Sequence, residues 1–594
     1  MRISDALVEK LLRGAQAATD EQIASLREQE QAEKKPLQDL AVMSNLISEE
    51  NLTRLYAKEI DVPFTDIPAT SEGREAMRQL PERIARQYHA VFLGVAEDGT
   101  KTVAMEDPDD IQAINFLRKT LGQDIKVHIA TSSAITAALD QYRENIGSEL
   151  TKVISAEPST DEEPEAVSAE DLAEDSPIAQ TVNLLIEYAI KARASDIHIE
   201  PRENFVLVRY RVDGILREAN KLPKKVLNAL VSRIKILSNL KIDERRAPQD
   251  GRFKIESGGQ VYALRVATLP IVDGEKVAIR ILNESAKPAT LQELGFWGKS
   301  RSDLEHALSQ PHGMVLVTGP TGSGKSTTLF SILSQLNKPS VNISTIEDPV
   351  EYRIPGANQT QINVAAHMTF AAGLRALLRQ DPNIIMVGEI RDGETATLAI
   401  QAALTGHLVF STLHTNNAAT CLPRLLDMQI EPFLIASTVR AVVGQRLVRK
   451  LCAACRQSLR PDEAMLAQLG RVFHTDEASI LQHLHELEIE AQKDGIGPDD
   501  DLGTTDRQII TLWKANEDGC DQCNHSGYKG RIGIYEVLDN SQSVQSMIVK
   551  RSTSEEIQNQ SAKEGMVTMQ FDGLVKVLRG ITSLEEVLRV TAES

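Results

Sequence analysis

The chain has 594 residues, of which 65 are Lys or Arg and 84 are Asp or Glu, giving a net charge of −19 at pH 7. Its length predicts several domains, and its 42% apolar and 25% charged residues exclude collagen-like and wholly disordered chains. No apolar run approaches the about 18 residues that span a bilayer, and Asp5 and Glu9 interrupt any secretory leader, so we expect a cytoplasmic protein.

The negative charge is concentrated in the first third of the chain. Residues 1–180 contain 18 basic and 35 acidic residues, whereas residues 181–594 contain 47 and 49. Because surfaces that bind nucleic acids are usually basic, this distribution disfavours a nucleic-acid partner, although a charged pore inside an oligomer would escape such a count.

Residues 1–150 are predicted to form a small α+β N-terminal module. Apolar residues at helical spacing indicate helices, and two strand-like runs flank a turn. The predicted elements are a helix around Leu11, a helix opened by Ser48, the strands Ala90–Val95 and Thr102–Met105, and the helix Ile111–Leu121.

Residues 151–177 are predicted to form an extended acidic linker. Nine of the 19 residues from Glu157 to Asp175 are acidic, and no Lys or Arg lies between Lys152 and Lys191. Such a segment buries too little apolar surface to offset the entropy of ordering it, and its charges repel one another. We interpret it as a solvated tether and assign it no binding role.

Residues 178–290 are predicted to form a second α+β domain. Its predicted elements are the helices Thr181–Ile190 and Val226–Leu240 and the strands Ser195–Glu200, Val206–Val212 and Tyr262–Thr268. His198 and Glu200 are residue types that bind metals. On a strand that alternates polar and apolar residues they are more typical of surface side chains, so we do not predict them as ligands.

Residues 291–450 alternate apolar strands with helices, which is the pattern of a parallel sheet with crossover helices. The predicted strands are Met314–Thr318, Val341–Ile346, Ile384–Val387 and Leu408–Thr412. Residues 457–518 are polar and are interpreted as an irregular insert, and the pattern from Ile532 to the end is interpreted as helical.

A glycine-rich segment follows the first of these strands and precedes a helix. It has the pattern G-x-x-x-x-G-K-[ST], in which glycines let backbone amides point at phosphate oxygens and the helix N-terminus adds partial positive charge. Lys325 is predicted to reach the β- and γ-phosphates, and Ser326 to bind Mg²⁺. A glycine-rich turn without nucleotide is the alternative. The predicted nucleotide-binding residues are Gly319, Pro320, Thr321, Gly322, Ser323, Gly324, Lys325, Ser326 and Thr327.

Two acidic segments follow further strands of the same predicted sheet. In open α/β sheets ligands bind at the carboxyl ends of the strands, where Glu351 and Glu389 are expected to emerge. Glu389 is a candidate partner for Mg²⁺ or its water, and Glu351 a candidate base that orients the attacking water. Both could instead cap helices. His407 and His414 bracket one strand and could sense the γ-phosphate, although each taken singly is equally typical of a structural histidine.

Four of the five cysteines form two C-x-x-C pairs. In a cytosolic chain such pairs favour a metal site over disulfides. The pairs are Cys452 with Cys455 and Cys520 with Cys523. Cys421 is left over and is interpreted as a small buried side chain.

Taken together, these segments resemble the type II secretion and type IV pilus assembly ATPases, which are GspE/PilB-like members of the secretion-superfamily NTPases. The resemblance extends from about Asn45 to Ser594 and is dense from Ala194 onward. Its four ordered boxes are a Walker A motif at Gly319–Thr327, an aspartate box at Ile346–Tyr352, a Walker B motif at Ile384–Asp392 and a histidine box at Thr405–Thr415.

The resemblance implies an α/β fold with a RecA-like P-loop core, preceded by a PAS-like α+β domain and a small α+β N-terminal module. The implied division is a partner-docking module at 1–150, the linker at 151–177, the PAS-like domain at 178–290, the ATPase core at 291–450, a tetracysteine subdomain with an insert at 451–531 and a helical subdomain at 532–594.

The resemblance also implies roles for individual residues. Glu351 would be the general base and Glu389 the Walker B glutamate, His407 and His414 the histidine-box residues. Arg265 and Arg280 match positions that approach nucleotide from the adjacent domain or subunit, although an ordinary salt bridge on a strand is the alternative. ATP and Mg²⁺ are the implied substrate and cofactor.

The cysteine pairs match the same family, in which two C-x-x-C pairs surround one Zn²⁺. Closing the long loop between the pairs costs roughly 4 kcal/mol, whereas structural zinc returns about 10–16 kcal/mol in peptides, so zinc is expected to win over free thiols. With Cys452, Cys455, Cys520 and Cys523 as ligands, no position is open for catalysis.

Family members act as hexamers on the cytoplasmic side of the inner membrane, where they drive a polytopic platform protein and dock a cytoplasmic partner. Some bind cyclic di-GMP through an Arg-Leu-Gly-type signature; the start Met1–Asp5 lacks the glycine, so we do not expect that ligand. Our first hypothesis is an ATPase that assembles a type II secretion pseudopilus. The alternatives are a type IV pilus extension ATPase, a nucleotide-switched docking protein and a DNA translocase.

Overall fold

The protein is described here by a computed structural model. It covers residues 5–15, 17–33, 36–44, 46–67, 80, 84–85, 88–95, 99–122, 125–141, 176–285, 287–499, 502, 509 and 511–592. The chain divides into two compact units, residues 1–161 and 162–594. The predicted acidic linker lies outside the described residues for all but its last two positions.

The described residues of the first unit include four helices at its start, a three-stranded sheet and two further helices. The helices are α1 (Asp5–Gly14), α2 (Asp20–Glu33), α3 (Leu37–Met43) and α4 (Glu49–Glu59). The sheet has the order β1 (Ala90–Val95), β2 (Lys101–Met105), β3 (Ile125–Ile129), and is accompanied by α5 (Ile111–Leu121) and α6 (Ser132–Gln141). Ser48 caps α4 as predicted, because its hydroxyl accepts a hydrogen bond from the Asn51 amide at 3.2 Å.

The second unit begins with a six-stranded antiparallel sheet. Its elements are α7 (Pro177–Lys191), β4 (Ala194–Pro201), β5 (Phe205–Val212), β6 (Ile215–Pro223), α8 (Leu227–Leu237), β7 (Gln249–Ser257), β8 (Gln260–Ile271) and β9 (Gly274–Asn283). The strand order is β6-β5-β4-β9-β8-β7. Alternate residues such as Ile197 and Ile199 are buried, and the Tyr210 hydroxyl donates to the Leu185 carbonyl at 2.8 Å, which holds α7 on the sheet.

Charged residues line up across this sheet in register. Arg252 pairs with Arg265, Arg265 with Arg280, and Arg280 with Asp196, so three arginines lie side by side on adjacent strands. Like charges directly opposite one another are destabilising unless anions lie close to them. Asp196 supplies one such anion, through its carboxylate 3.3 Å from the Arg280 Nε.

The interpretation of Glu200 as a surface side chain is wrong. Although it was expected on the surface, its side chain is buried and is bound by Arg209 at 2.7 Å, Arg202 at 2.8 Å and Lys276 at 3.1 Å. Burial of a carboxylate is tolerated when cations surround it in this way. His198 is partly buried, and its ring nitrogens make no hydrogen bond to the described residues.

The central sheet consists of β10 (Gly313–Thr318), β11 (Ile343–Glu347), β12 (Asn358–Gln361), β13 (Ile384–Val387), β14 (Leu408–Leu413), β15 (Val439–Leu451) and β18 (Tyr528–Asp539). Their order in the sheet is β12-β11-β13-β14-β10-β15-β18. All neighbours are parallel except the pair β15 and β18. The α-helices of this region are α9 (Leu291–Leu294), α10 (Gly298–Leu308), α11 (Lys325–Leu336), α12 (Phe370–Leu377), α13 (Gly393–Leu404), α14 (Cys421–Asp427) and α15 (Pro432–Thr438).

Apolar residues cover both faces of the central sheet. On β10, Met314 and Leu316 pack into one apolar cluster while Val315 and Val317 pack into another on the opposite face. A strand buried on both sides can be apolar throughout, as in residues 314–317 of β10 and in β13, and such runs show no polar alternation. All four predicted core strands are confirmed, with bounds shifted by at most two residues.

The end of the chain departs from the sequence interpretation in two ways. Residues 532–539 were expected to be helical but belong to β18 (Tyr528–Asp539), which pairs antiparallel with β15. The helices α18 (Gln542–Val549), α19 (Ser554–Lys563), α20 (Met569–Leu578) and α21 (Leu584–Thr591) follow.

The insert at 457–518 was expected to be irregular, and this is wrong for most of its described residues. It forms β16 (Gln457–Leu459), α16 (Glu463–Phe473), α17 (Ala478–Lys493) and β17 (Leu512–Lys514). Leu469, Phe473 and Leu484 pack with Trp297 and with α20 residues in one apolar cluster. The Asp494 carboxylate also accepts a hydrogen bond from the Gly298 amide at 2.6 Å, so the insert fastens the start of the core to the C-terminal helices.

A buried ion pair stabilises the junction of α10, β18 and α20. Asp572 accepts hydrogen bonds from the Lys576 ammonium at 2.7 Å, from the Tyr535 amide at 2.8 Å and from the Trp297 indole. Both charged side chains are almost fully buried, so neither can be hydrated if its partner is removed.

We expect Asp572→Ala to lower the free energy of unfolding by about 3–5 kcal/mol, because the Lys576 charge is left buried and unpaired. Denaturant unfolding followed by circular dichroism measures the change. Glu305→Ala is the matched control, since Glu305 also pairs with a basic side chain four residues away, but Arg301 and Glu305 are 34% and 42% exposed, and the loss should cost about 1 kcal/mol or less. Equal losses in both variants would contradict the assignment.

Candidate nucleotide and metal sites

The predicted phosphate loop lies between β10 and α11, as the sequence indicates. Gly324 begins the helix with φ +91°, in the left-handed region that favours glycine. A Cβ on Gly319 would lie 2.4 Å from the Gln445 carbonyl oxygen, so this position also admits no side chain. The backbone therefore turns tightly at the end of β10 and delivers its amides to the N-terminus of α11.

Lys325 folds back onto the loop that it belongs to. Its ammonium donates to the carbonyl oxygens of Gly319 at 2.8 Å and Pro320 at 3.1 Å. Burial lowers the pKa of Lys325 to about 8, while the nearby charge of Glu389 opposes this shift. A triphosphate would satisfy the same ammonium with anionic oxygens.

The side chain of Ser323 provides a test of whether a nucleotide fits. Its hydroxyl oxygen is buried in the loop and makes no hydrogen bond to any described residue. A buried hydroxyl without a partner costs free energy, so the loop is suited to a ligand that accepts a hydrogen bond there. The residues present therefore fit a phosphate group.

Glu389 follows β13 and is bound on both carboxylate oxygens. Arg391 lies 2.5 Å from one oxygen and the His414 Nε2 lies 3.3 Å from the other. Burial alone would raise the pKa of Glu389, but its hydrogen bond to Arg391 and the charges of Arg391 and His414 hold it below its usual value. Glu389 is thus kept ionised beside Lys325, as a ligand of Mg²⁺ or of its water must be.

The two glutamates of the aspartate box have different environments. Glu347 ends β11 and is buried, where its carboxylate accepts from the Thr345 hydroxyl at 2.7 Å and the Gln359 amide at 3.0 Å. Burial raises the pKa of Glu347. Glu351 lies four residues on, remains partly exposed, and is 2.9 Å from the Arg265 guanidinium.

The arginines predicted from the six-stranded sheet behave differently. Arg265 reaches from β8 to Glu351 and to the Val350 carbonyl, so it touches the core directly. Arg280 contacts Asp196 of its own sheet instead and is more than half exposed. The structure therefore brings Arg265, but not Arg280, to the nucleotide site of the same chain.

The histidine box is tied to the phosphate loop by a buried threonine pair. The Thr318 and Thr415 hydroxyls are 2.7 Å apart, and the Thr415 amide donates to the Thr318 hydroxyl at 3.0 Å. His414 is next to Thr415 and contacts Glu389, which places it at the same edge of the sheet.

His407 lies at the other end of β14. Its Nδ1 is 2.9 Å from the Ala402 carbonyl oxygen, and its own carbonyl accepts from the Gly313 amide at the start of β10. The strand between the two histidines spans about 20 Å at about 3.3 Å per residue. Within one chain, His407 therefore lies outside the site that the other boxes form.

Three residues of the site were missed by sequence reasoning. Arg391 binds Glu389, Gln359 joins Glu347 to the Tyr352 carbonyl, and Gln445 reaches the phosphate loop from β15. Gln445 leaves no signal of its own in the sequence, since it lies next to Arg446 on β15 and neither residue type stands out there.

The four paired cysteines come together at the ends of β15 and β18. The Sγ atoms lie 3.7 Å apart for Cys452 and Cys520, 3.8 Å for Cys455 and Cys523, and 3.7 Å for Cys520 and Cys523. All four lie within 4.8 Å of one another. A tetrahedral Zn²⁺ with Zn–S bonds of about 2.3 Å places its sulfurs about 3.8 Å apart, so the cluster fits that ion.

Cys421 lies outside this cluster, as predicted. It is fully buried in the apolar core at the start of α14, and its sulfur is 3.1 Å from the Thr415 hydroxyl. Burial raises the pKa of the Cys421 thiol to about 11, so the group stays neutral.

Comparisons with known proteins identify relatives along most of the chain. The family described as Type II/IV secretion system protein matches residues 171–589, and the MshEN domain matches residues 60–149. The type IV pilus assembly ATPase PilB of Thermus thermophilus is 40% identical over 563 residues, which are 94% of this chain and 59% of that protein. The type II secretion system protein E of Pseudomonas aeruginosa is 40% identical over 540 residues, which are 89% of this chain and 99% of that protein.

Among solved structures, the pilus retraction motor PilT with bound ADP is similar at 25% identity and a TM-score of 0.45, covering 68% of this chain and 95% of that chain. The family matches and the observed topology confirm the predicted fold class, a RecA-like α/β core preceded by a PAS-like α+β domain and a small N-terminal module. Among the helices that the structure describes, none has the length and apolar character needed to cross a membrane.

We expect the purified full-length protein to contain zinc, and Cys452→Ser to lose most of it, because one thiolate of four is removed. Elemental analysis measures the metal per chain. Cys421→Ser is the control, since it removes a cysteine outside the cluster and should leave the zinc content unchanged. Undiminished zinc in Cys452→Ser would exclude this residue as a ligand.

Proposed function

This chain belongs to the type II/IV secretion system protein family and is an ATPase of that family, and on this basis we propose that it couples ATP hydrolysis to assembly of a type II secretion pseudopilus. The observation that carries the proposal is the convergence of the phosphate loop, Glu351, Glu389 and His414 at one edge of the central sheet. A site with this set can bind a triphosphate and activate water, which a binding module alone does not require.

In the proposed site, residues 319–327 bind the triphosphate and Lys325 neutralises its β- and γ-phosphates. Ser326 and Glu389 would hold Mg²⁺, which supplies positive charge to the phosphate oxygens. Glu351 is the proposed base, because it lies four residues after β11, at the carboxyl edge of the sheet, and is partly exposed. Glu347 is less suited to act as the base, because its buried carboxylate already accepts hydrogen bonds from Thr345 and Gln359.

Arg265 and Arg280 are proposed to stabilise the charge that develops on the transferred phosphoryl group. Arg265 would do so in its own chain after releasing Glu351. Arg280 binds Asp196 of its own sheet instead of a core residue, and we propose that it serves the nucleotide site of a neighbouring subunit. We propose the same for His407, in keeping with a ring of six copies.

The tetracysteine cluster is proposed to hold one structural Zn²⁺. Four thiolates leave no open coordination position, so the ion would bring rigidity and no catalysis. We propose the division of the chain given by the sequence: 1–150, 151–177, 178–290, 291–450, 451–531 and 532–594. One refinement is needed, because residues 532–539 pair with the core sheet.

The N-terminal module is proposed to dock a cytoplasmic partner of the secretion machine, and the ring to drive a polytopic platform protein from the cytoplasmic side of the inner membrane. A cavity of about 770 Å³ in this module is lined by five carboxylates, from Asp39, Glu49, Glu106, Asp107 and Asp110. Such a lining suits basic side chains of a partner protein and disfavours an anion such as cyclic di-GMP. No nucleic-acid partner is proposed.

A type IV pilus extension ATPase is the second candidate. It is favoured by the Thermus relative, which is named a pilus assembly ATPase and is as similar to this chain as the Pseudomonas secretion protein. The two candidates share the same chemistry and differ in the fibre that is assembled.

We expect Glu351→Gln to reduce ATP turnover by about 100-fold or more while ATP binding is retained, because the amide keeps the size of the carboxylate but accepts no proton. Phosphate release measures turnover, and a fluorescent ATP analogue measures binding. Glu305→Gln on α10 is the matched control, as it makes the same change at an exposed ion pair. Unchanged turnover in Glu351→Gln would remove Glu351 as the base and favour a nucleotide-switched docking protein.

Deletion of the gene in the source bacterium should abolish release of secreted enzymes into the medium and leave surface pili in place. Complementation with the wild type should restore secretion, and complementation with Glu351→Gln should not. Secreted enzyme activity and electron microscopy of the cells provide the measurements. Loss of pili with normal secretion would assign the protein to pilus extension instead.

A further inference from the structure

Gln445 is a buried amide that directs both of its polar atoms at the phosphate loop. It lies on β15, beside β10, and its side chain is 1% exposed. Its Nε2 donates to the Ser323 carbonyl at 2.7 Å, and its Oε1 accepts from the Thr328 hydroxyl at 2.9 Å. One side chain thus binds the last turn of the loop and the first turn of α11.

The bond to Ser323 fixes a peptide plane that matters for ligand binding. In a trans peptide the carbonyl oxygen and the amide hydrogen of the next residue point in opposite directions. Because Gln445 holds the Ser323 carbonyl, the Gly324 amide of the same peptide points away from the Gln445 side chain. Gly324 alone could rotate freely, since it has no Cβ.

The backbone leaves no room for a substitute contact. Gly319 passes so close to β15 that an added Cβ would lie 2.4 Å from the Gln445 carbonyl oxygen, and a Cβ on Gly324 would lie 3.3 Å from the Gln445 Nε2. The phosphate loop therefore packs directly against Gln445 at both Gly319 and Gly324.

We infer that Gln445 is a positioning residue for phosphate binding, which orients the Gly324 amide before the nucleotide arrives. The inference rests on the proposed function, since it assumes that the loop binds ATP, and it adds a residue that lies far from the loop in sequence. Amides fixed in advance stabilise an anion without the cost of ordering them on binding.

This role makes a specific prediction about which property of the enzyme changes. The Gly324 amide would bind the same phosphate groups as Lys325, whereas the contacts of Glu351 and Glu389 do not involve Gln445. Affinity for ATP should therefore fall, affinity for AMP should change little, and turnover at saturating ATP should persist.

The test compares Gln445→Glu with the wild type in the full-length protein. The carboxylate still accepts from Thr328 but donates nothing to the Ser323 carbonyl, so we expect the Kd and KM for ATP to rise about tenfold or more, with kcat within about threefold of wild type. Competition of ATP and AMP against a fluorescent ATP analogue should show that the ratio of the Kd for AMP to the Kd for ATP falls in the variant.

Two further variants keep the inference falsifiable. Gln445→Met removes the donor without adding charge and should show the same loss of ATP affinity. Gln545→Glu is the matched control, because Gln545 also donates to a carbonyl, that of Asn540 at 2.9 Å, but lies on α18 outside the site. It should bind and hydrolyse ATP as the wild type does.

The inference is overturned if Gln445→Glu and Gln445→Met bind ATP within about twofold of wild type. It is also overturned if they lose ATP and AMP affinity equally, or if neither folds, because each result assigns Gln445 to the core alone. A wild type that fails to bind or hydrolyse ATP contradicts the proposed function first, and that outcome is distinguished by measuring the wild type alongside.

Discussion

The parallel alignment of β10, β11, β13 and β14 is the constraint on which the whole site depends. Their carboxyl ends meet at one edge, so segments far apart in sequence deliver the phosphate loop, Glu351, Glu389 and His414 to the same place. The apolar residues of these strands pack into clusters on both faces, and a slip of one residue would exchange the two faces. Packing in the core thus fixes the register of the sheet, and the register in turn fixes the positions of the site residues.

The antiparallel ribbon of β15 and β18 extends this arrangement beyond the core. The ribbon carries Gln445, which donates a hydrogen bond to the phosphate loop. Beside it, the buried carboxylate of Glu536 accepts a hydrogen bond from the Ala418 amide, just after the histidine box. At its far end the same two strands carry the cysteine cluster. A metal bound there would restrain the ends of β15 and β18, the strands that contact the phosphate loop and the segment after the histidine box. A structural ion could therefore stabilise the proposed catalytic site without lying in it.

Much of the site follows from local sequence, because glycines in a turn and carboxylates after apolar strands depend on near neighbours. The strand bounds around β10 and β13 were predictable for the same reason. His407 was a different case: it precedes β14, and in a parallel sheet a residue before a strand lies at the edge opposite to the site. Residues 532–539 were mistaken for a helix because a strand buried on both faces lacks alternation, and Gln445 could not be found because its partner lies more than a hundred residues away.

The contact between Arg265 and Glu351 has a consequence for how the two domains work together. The candidate base is neutralised by a side chain from the six-stranded sheet whenever that sheet rests against the core. Glu351 can bind an attacking water through the same carboxylate oxygen only after this ion pair opens, so its proposed role depends on the position of the six-stranded sheet. The proposed hydrolysis would therefore require a movement of the six-stranded sheet relative to the core.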